Sequence, residues 1–211
     1  MKNTKKVLLG GVAALALVGT SVFGTYMYLT SKTDTVTNTF TVGKVAITLD
    51  EADTDEYGAQ LYKDGDKLVT NQTETVADRV QENEYKLIPG HEYLKDPTVH
   101  VSSESEDSWL FVKVENGISD IEADKTIAAQ MAEKGWSLVG NETNVYAYKD
   151  KVAKNQNITV FESFTLTENA SVNNYANAEI TITAYAVQAD GFESETAASI
   201  FNTAFPSTSN D

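Results

Sequence analysis

The chain of 211 residues contains no cysteine, two histidines and three prolines. Without cysteine there can be no disulfide framework, no thiol nucleophile and no cysteine-ligated zinc. The two histidines, His91 and His100, lie nine positions apart with Pro97 between them, and H-E-x-x-H does not occur. A zincin-type site therefore has no support. G-x-S-x-G and a glycine-rich phosphate loop are also missing, which removes the usual marks of a serine hydrolase and of a nucleotide enzyme. With 31 acidic residues, nothing singles out the carboxylate pair that glycoside hydrolysis requires. No residue is assigned a catalytic, metal-binding or cofactor-binding role, and no enzyme activity is expected.

Positive charge is also scarce. Sixteen basic residues face 31 acidic ones, for a formal net charge of -15. Such a surface repels phosphate backbones, so nucleic acid is excluded as a partner. Long apolar runs are missing too. The one candidate, Val7 to about Phe23, holds seventeen residues and includes Gly10, Gly11 and Gly19. That is short for a spanning helix, which needs roughly 20. Lys2, Lys5 and Lys6 precede it, so the layout is that of a cleavable signal peptide. An exported chain without disulfides fits a Gram-positive-type surface, so a secreted, extracellular-matrix or cell-surface location is expected. A C-terminal L-P-x-T-G motif is absent from the sequence, which argues against sortase attachment.

Beyond the leader, β signals dominate. From Phe40 to Leu49 apolar and polar residues alternate around a break at Gly43, and "SWLFVKVEN" (108–116) and "AEITITAYAV" (178–187) alternate strongly. Shorter strands are expected at Glu84 to Ile88, Thr98 to Ser102, Ser137 to Val139, Asn144 to Tyr148 and Ile158 to Leu166. One helix is expected in "SDIEADKTIAAQMAEKGW", capped by Ser119 or Asp120 and ended at Gly135, and a second from about Ser194 to Ala204. No period of about 20–50 residues repeats, so a solenoid is not expected. Together these elements describe a mostly β, antiparallel sandwich with one or two peripheral helices, for which jelly-roll and immunoglobulin-like orders both remain open. The acidic segment after Leu49 places Asp50, Asp53, Asp55 and Glu56 close together. However, position twelve of an EF-hand loop starting at Asp53 is Asp64 rather than Glu, so a solvated acidic loop is the plainer reading. His91 is expected at the surface and His100 on a half-buried strand face. Trp109 and Trp136 could line a glycan-binding face, although single tryptophans beside strands more often pack in a core.

Four blocks, "GTYMYLTSKTDTVTNTFTVGKVAITL", "KLIPGHEYLKDPTVHV", "WLFVKVEN" and "ITAYAVQADGF", together resemble the TasA/camelysin-type group of exported proteins, whose leaders are processed by the SipW class of signal peptidase. The resemblance implies cleavage between Met27 and Tyr28, although Met27 departs from the small residue that group places there. It implies a jelly-roll-like sandwich that polymerises into extracellular fibres of a biofilm matrix or surface pili. The implied organisation is a signal peptide at 1–27, a mature N-terminal extension at 28–39 and a β-sandwich at 40–211. The metallopeptidase label attached to the camelysin branch is not carried over, for want of a zinc motif.

A physical route to polymerisation also exists apart from the resemblance. A sheet edge exposes unpaired N–H and C=O groups, and a free extended terminus can fill the edge of another copy. Residues Tyr28 to Asn38 are the expected donor, with Tyr28, Leu29 and Val36 as anchors. The partners are then the protein itself in a head-to-tail homopolymer, the signal peptidase during export, and other matrix or cell-surface components. Such contacts do not close on themselves and so give filaments. The alternatives are a strand that pairs within its own sheet, and a monomeric surface adhesin or ligand-binding sandwich.

Overall fold

The computed structural model describes residues 30–32, 44–72 and 74–206. The chain is mostly β, its strand pairs are antiparallel, and two α-helices lie outside the sheets. The main sheet has five strands in the order β1 (Thr30–Lys32), β13 (Ile180–Gln188), β8 (Ser108–Asn116), β10 (Val145–Tyr148) and β9 (Trp136–Leu138). A three-stranded sheet, β11 (Asn157–Thr159), β7 (Thr98–Val101) and β2 (Ile47–Asp50), lies across the core from it. A two-stranded piece joins β12 (Ser163–Thr165) to β6 (Glu92–Leu94). A small sheet orders β4 (Lys67–Val69), β3 (Tyr62–Asp64) and β5 (Thr75–Val76).

The two longest strands are the ones whose sequences alternate most regularly. On β8, Leu110, Val112 and Val114 enter the main core together with Ala184 and Ala186 of β13, while Phe111 and Val187 point to the opposite face. The two strands pair over nine residues, from Ile180 opposite Asn116 to Gln188 opposite Ser108. Across the core, Ile47, Val99 and Val101 close the other side, and Tyr93 stacks on Phe164 with ring centroids 4.7 Å apart. The outer face of the main sheet carries a second core. There Phe111, Val145, Ala147 and Val187 are covered by Ile200 and Phe201 of α2 (Ala197–Ala204).

Both helices start later than the sequence suggests. Ser119–Ile121 forms a single 3-10 turn, Glu122 is extended, and the α-helix α1 runs Ile127–Lys134. The intervening residues are held by the main chain of β12 and its continuation: Ala123 donates to the Thr165 carbonyl at 2.8 Å, and Glu122 bridges Leu166. Tertiary pairing thus displaces the start to Thr126, whose hydroxyl accepts from the Ala129 N–H at 3.2 Å. Gly135 ends the helix at a φ of +94°, the left-handed conformation expected of a terminating glycine. In α2 the cap is Thr196, accepting from Ser199 N–H at 3.2 Å.

Two expected strands are also revised. Ile158 to Leu166 is not continuous: β11 pairs with β7 and β12 with β6, while Val160 and Phe161 between them are fully buried. Glu84 to Ile88 joins no sheet. It is tied instead by Lys86 N–H to the Glu56 carbonyl at 2.8 Å and by the buried Tyr93 hydroxyl. That hydroxyl accepts from Ile88 N–H at 2.6 Å and donates to the Lys86 carbonyl at 2.7 Å. The acidic segment is not a bare loop, because β3 and β4 form a hairpin turning at Gly65-Asp66. Phe40, Val42 and the break at Gly43 lie outside the described residues.

Candidate functional site

The edge of the main sheet is the first feature with functional content. One side of β13 is paired to β8 along its whole length. On the other side β1 covers only three positions, with Thr30 opposite Val187, Ser31 opposite Ala186 and Lys32 opposite Tyr185. Among the described residues, no strand pairs with Ile180 to Thr183 on that side. Ile180 and Ile182 instead border a cleft of about 1190 Å³, whose other walls include Leu49, Tyr85, Leu87 and Tyr175. The cleft therefore runs between the β13 edge and β2, so both sheets contribute to it.

Thr30–Lys32 falls inside the segment expected to act as a donor, and it pairs with the chain's own β13. Over three residues, then, the pairing is intramolecular. The expected anchors Tyr28, Leu29 and Val36 and the expected cleavage point between Met27 and Tyr28 lie outside the described residues. Among the described residues, no helix is long and apolar enough to cross a membrane.

A second feature is a polar centre at the end of β2. Glu51 is 3 % exposed and Lys95 7 %, and the lysine ammonium meets Glu51 Oε2 at 2.6 Å. Asn83 donates from Nδ2 to Glu51 Oε1 and to the Ala52 carbonyl, both at 2.9 Å, and its Oδ1 accepts from Thr54 N–H at 3.0 Å. Tyr85 packs against the lysine, with Nζ 5.8 Å from the ring centroid, and its hydroxyl donates to the Leu94 carbonyl at 2.9 Å. Burial pushes the Tyr85 phenol far above its ordinary range, and the nearby Glu51 charge adds to the shift. Edge-on contacts with Phe164 at 5.3 Å and Tyr93 at 5.6 Å complete an aromatic wall.

Outside this pair lies a more solvated clamp. Arg79, the single arginine of the chain, joins Asp50 and Asp96, donating from Nη1 to Asp96 Oδ2 at 2.9 Å and from Nε to Asp50. Burial works against the guanidinium charge, but the two carboxylates outweigh it and raise the Arg79 pKa. His100 sits half-buried, as expected, with Nε2 2.8 Å from Asp50 Oδ1 and Nδ1 2.8 Å from Asn157 Oδ1.

Two of the four acidic residues that suggested calcium are otherwise engaged. Asp50 belongs to the Arg79 clamp, and Asp55 Oδ1 accepts from Tyr57 N–H and Ala59 N–H at 2.9 Å each, an Asx-type turn. Among the described residues, no group of three His, Cys, Asp or Glu is placed to hold a metal ion. The tryptophans do not share a face. Trp136 is 2 % exposed in the main core and donates to the Thr159 carbonyl at 3.2 Å, whereas Trp109 is half-buried on the α2 side. His91 is half-exposed, Nε2 lying 2.8 Å from the Tyr57 carbonyl.

Sequence reasoning missed Lys95, Asn83 and Arg79 as a group. One signal was available: Lys95 shares strand parity with the buried Tyr93, which marks its side chain as inward-pointing. Asn83 left no comparable trace, because its segment has neither strand nor helix periodicity. In comparison with known proteins, no family model, no curated protein and no solved structure matches this chain.

Proposed function

We propose that this chain is an exported structural subunit that polymerises head to tail through its N-terminal segment, on a jelly-roll-like sandwich. The fibres would belong to the extracellular matrix or cell surface, and no catalytic step is assigned. The reading is carried by the edge of β13: nine residues of regular strand, paired throughout on one side and met on the other, among the described residues, by three residues of the N-terminal segment. A strand edge of this kind offers main-chain donors and acceptors to any extended segment that reaches it. The occupant it already has in cis is the segment the reading requires in trans. Exchange between the two states needs no new surface, because the same residues pair with the same edge on a second copy. Signal peptidase cleavage would release the segment, and other matrix or surface components could then join the fibre.

The test exploits the absence of cysteine. Ser31 and Ala186 face each other across β1 and β13, so Ser31→Cys combined with Ala186→Cys places the only two thiols of the chain within disulfide reach. Oxidised after removal of the leader at high protein concentration, the double variant is expected to give a covalent ladder of oligomers on non-reducing gels. Intramolecular disulfide alone, at every concentration at which the protein is stable, would overturn strand donation.

A further inference from the structure

We propose that Lys95 and Asn83 close an intramolecular amide bond, with Glu51 as its acid–base catalyst. The two reacting groups are gathered by one carboxyl group: the amine lies 2.6 Å from Glu51 Oε2, and the carboxamide nitrogen lies 2.9 Å from Oε1. Lysine and glutamate are both almost completely buried, against the aromatic wall of Tyr85, Tyr93 and Phe164. The reaction begins with transfer of a proton from Lys95 Nζ to Glu51 Oε2 along their hydrogen bond, which gives a neutral amine and a neutral acid. A neutral lysine is a nucleophile.

The carboxamide is held in the orientation that this attack needs. Thr54 N–H donates to Asn83 Oδ1 at 3.0 Å, where negative charge develops when the carbonyl carbon becomes tetrahedral. The Nδ2 end faces the proton source, Glu51. The Lys95 Nζ lone pair attacks Asn83 Cγ, forming the new C–N bond and moving the carbonyl π electrons onto Oδ1. Glu51 gives its proton to Nδ2 and takes one from Nζ. The Cγ–Nδ2 bond then breaks, Oδ1 reforms the carbonyl, and ammonia leaves. Amine plus primary carboxamide becomes secondary amide plus ammonia, with no oxidation and no co-reactant. Proximity on a single carboxyl group replaces the activation that such an acyl transfer lacks in water.

The product would be a covalent staple in a chain that cannot form disulfides. It ties the residues around Asn83, which belong to no sheet, to the end of β6, and it closes a loop that contains the buried Tyr93. This chemistry is independent of polymerisation.

The experiment is intact-mass spectrometry of the folded full chain, followed by protease digestion. A mass lower than the sequence requires by one ammonia is expected, with a branched peptide joining position 83 to position 95. Lys95→Met and Glu51→Gln should each restore the full mass. Either variant can fail to fold, so the digest of the unaltered protein is decisive by itself. Lys95 and Asn83 recovered in separate unmodified peptides after prolonged incubation would overturn the proposal. So would an ammonia loss that persists in Lys95→Met, because it would then arise from succinimide formation at an asparagine. The branched peptide is expected equally in a chain lacking residues 28–38, so failure of the staple and failure of fibre assembly can be told apart.

Discussion

Deleting residues 28–38 probes how firmly the N-terminal segment is held by its own sheet. Among the described residues, the segment contributes three residue pairs to β13. At a net of about 0.5–1.5 kcal/mol per main-chain hydrogen bond, and roughly one bond per residue, the pairing is worth about 1.5–4.5 kcal/mol. Ordering the same three residues costs about 1–2 kcal/mol each, or about 3–6 kcal/mol. The two sums nearly cancel, so the intramolecular pairing is close to neutral and its occupant can be exchanged. The deletion should therefore change global stability by no more than about 1 kcal/mol, which in a domain of this size moves Tm by about 2–4 °C. Thermal unfolding followed by circular dichroism measures this, and electron microscopy of the same sample should show filaments lost. A fall in Tm of more than about 10 °C, or loss of cooperative unfolding, would refute the reasoning: β1 would then be an integral strand of its own sheet. Filaments that persist in the deletion would refute the assembly reading separately.

Other perturbations test the packing. Tyr93→Phe removes a hydroxyl that serves both Ile88 N–H and the Lys86 carbonyl in a fully buried position, and should cost about 2–4 kcal/mol in urea titration. A loss below about 0.5 kcal/mol would mean that water replaces both bonds. Phe201→Ala empties the second core between α2 and the main sheet, where Phe201 is 9 % exposed, and should cost about 3–5 kcal/mol. Hydrogen exchange should quicken in α2 before it quickens in β8. Glu122→Gln addresses pH. Burial raises the Glu122 pKa, so the folded state favours the protonated acid, and the stability this gives is present at low pH and lost as pH rises through the folded-state value. Glutamine can keep the bond from Ile127 N–H to Oε1 at 3.1 Å without the charge. The variant should melt higher than its parent at neutral pH and equally below about pH 4.

The parts of this fold that were legible in the sequence are those in which local periodicity and tertiary burial agree. The strands β8 and β13 alternate because one face meets the main core and the other meets α2 or solvent, so their extents were readable to within two residues. The start of α1 was not, because residues 119–126 carry the acids and small polar residues of a helix start yet pair with residues 165–167. The division of 158–166 into two strands depends on which neighbours each half meets, and strand propensity does not encode partners. The polar centre was hidden for a similar reason. Glu51, Asn83 and Lys95 are separated by 32 and 12 positions, with no spacing rule among them, and they are joined only when β2, the irregular segment and β6 pack.

The pairing of β1 with β13 also fixes an order of events during synthesis. Position 30 finds its neighbours at positions 185–187, so the earliest strand to leave the ribosome must wait for the latest one. Until Ile180–Gln188 appears, β8 likewise lacks one of its two flanking strands, and Phe111 has neither Val187 beside it nor Phe201 above it. The smaller sheets can pair earlier, but the main sheet stays incomplete until Ile180–Gln188 is available. Closure of the main sheet is therefore a late step that joins the two ends of the chain, with the slow kinetics that such long-range pairing carries.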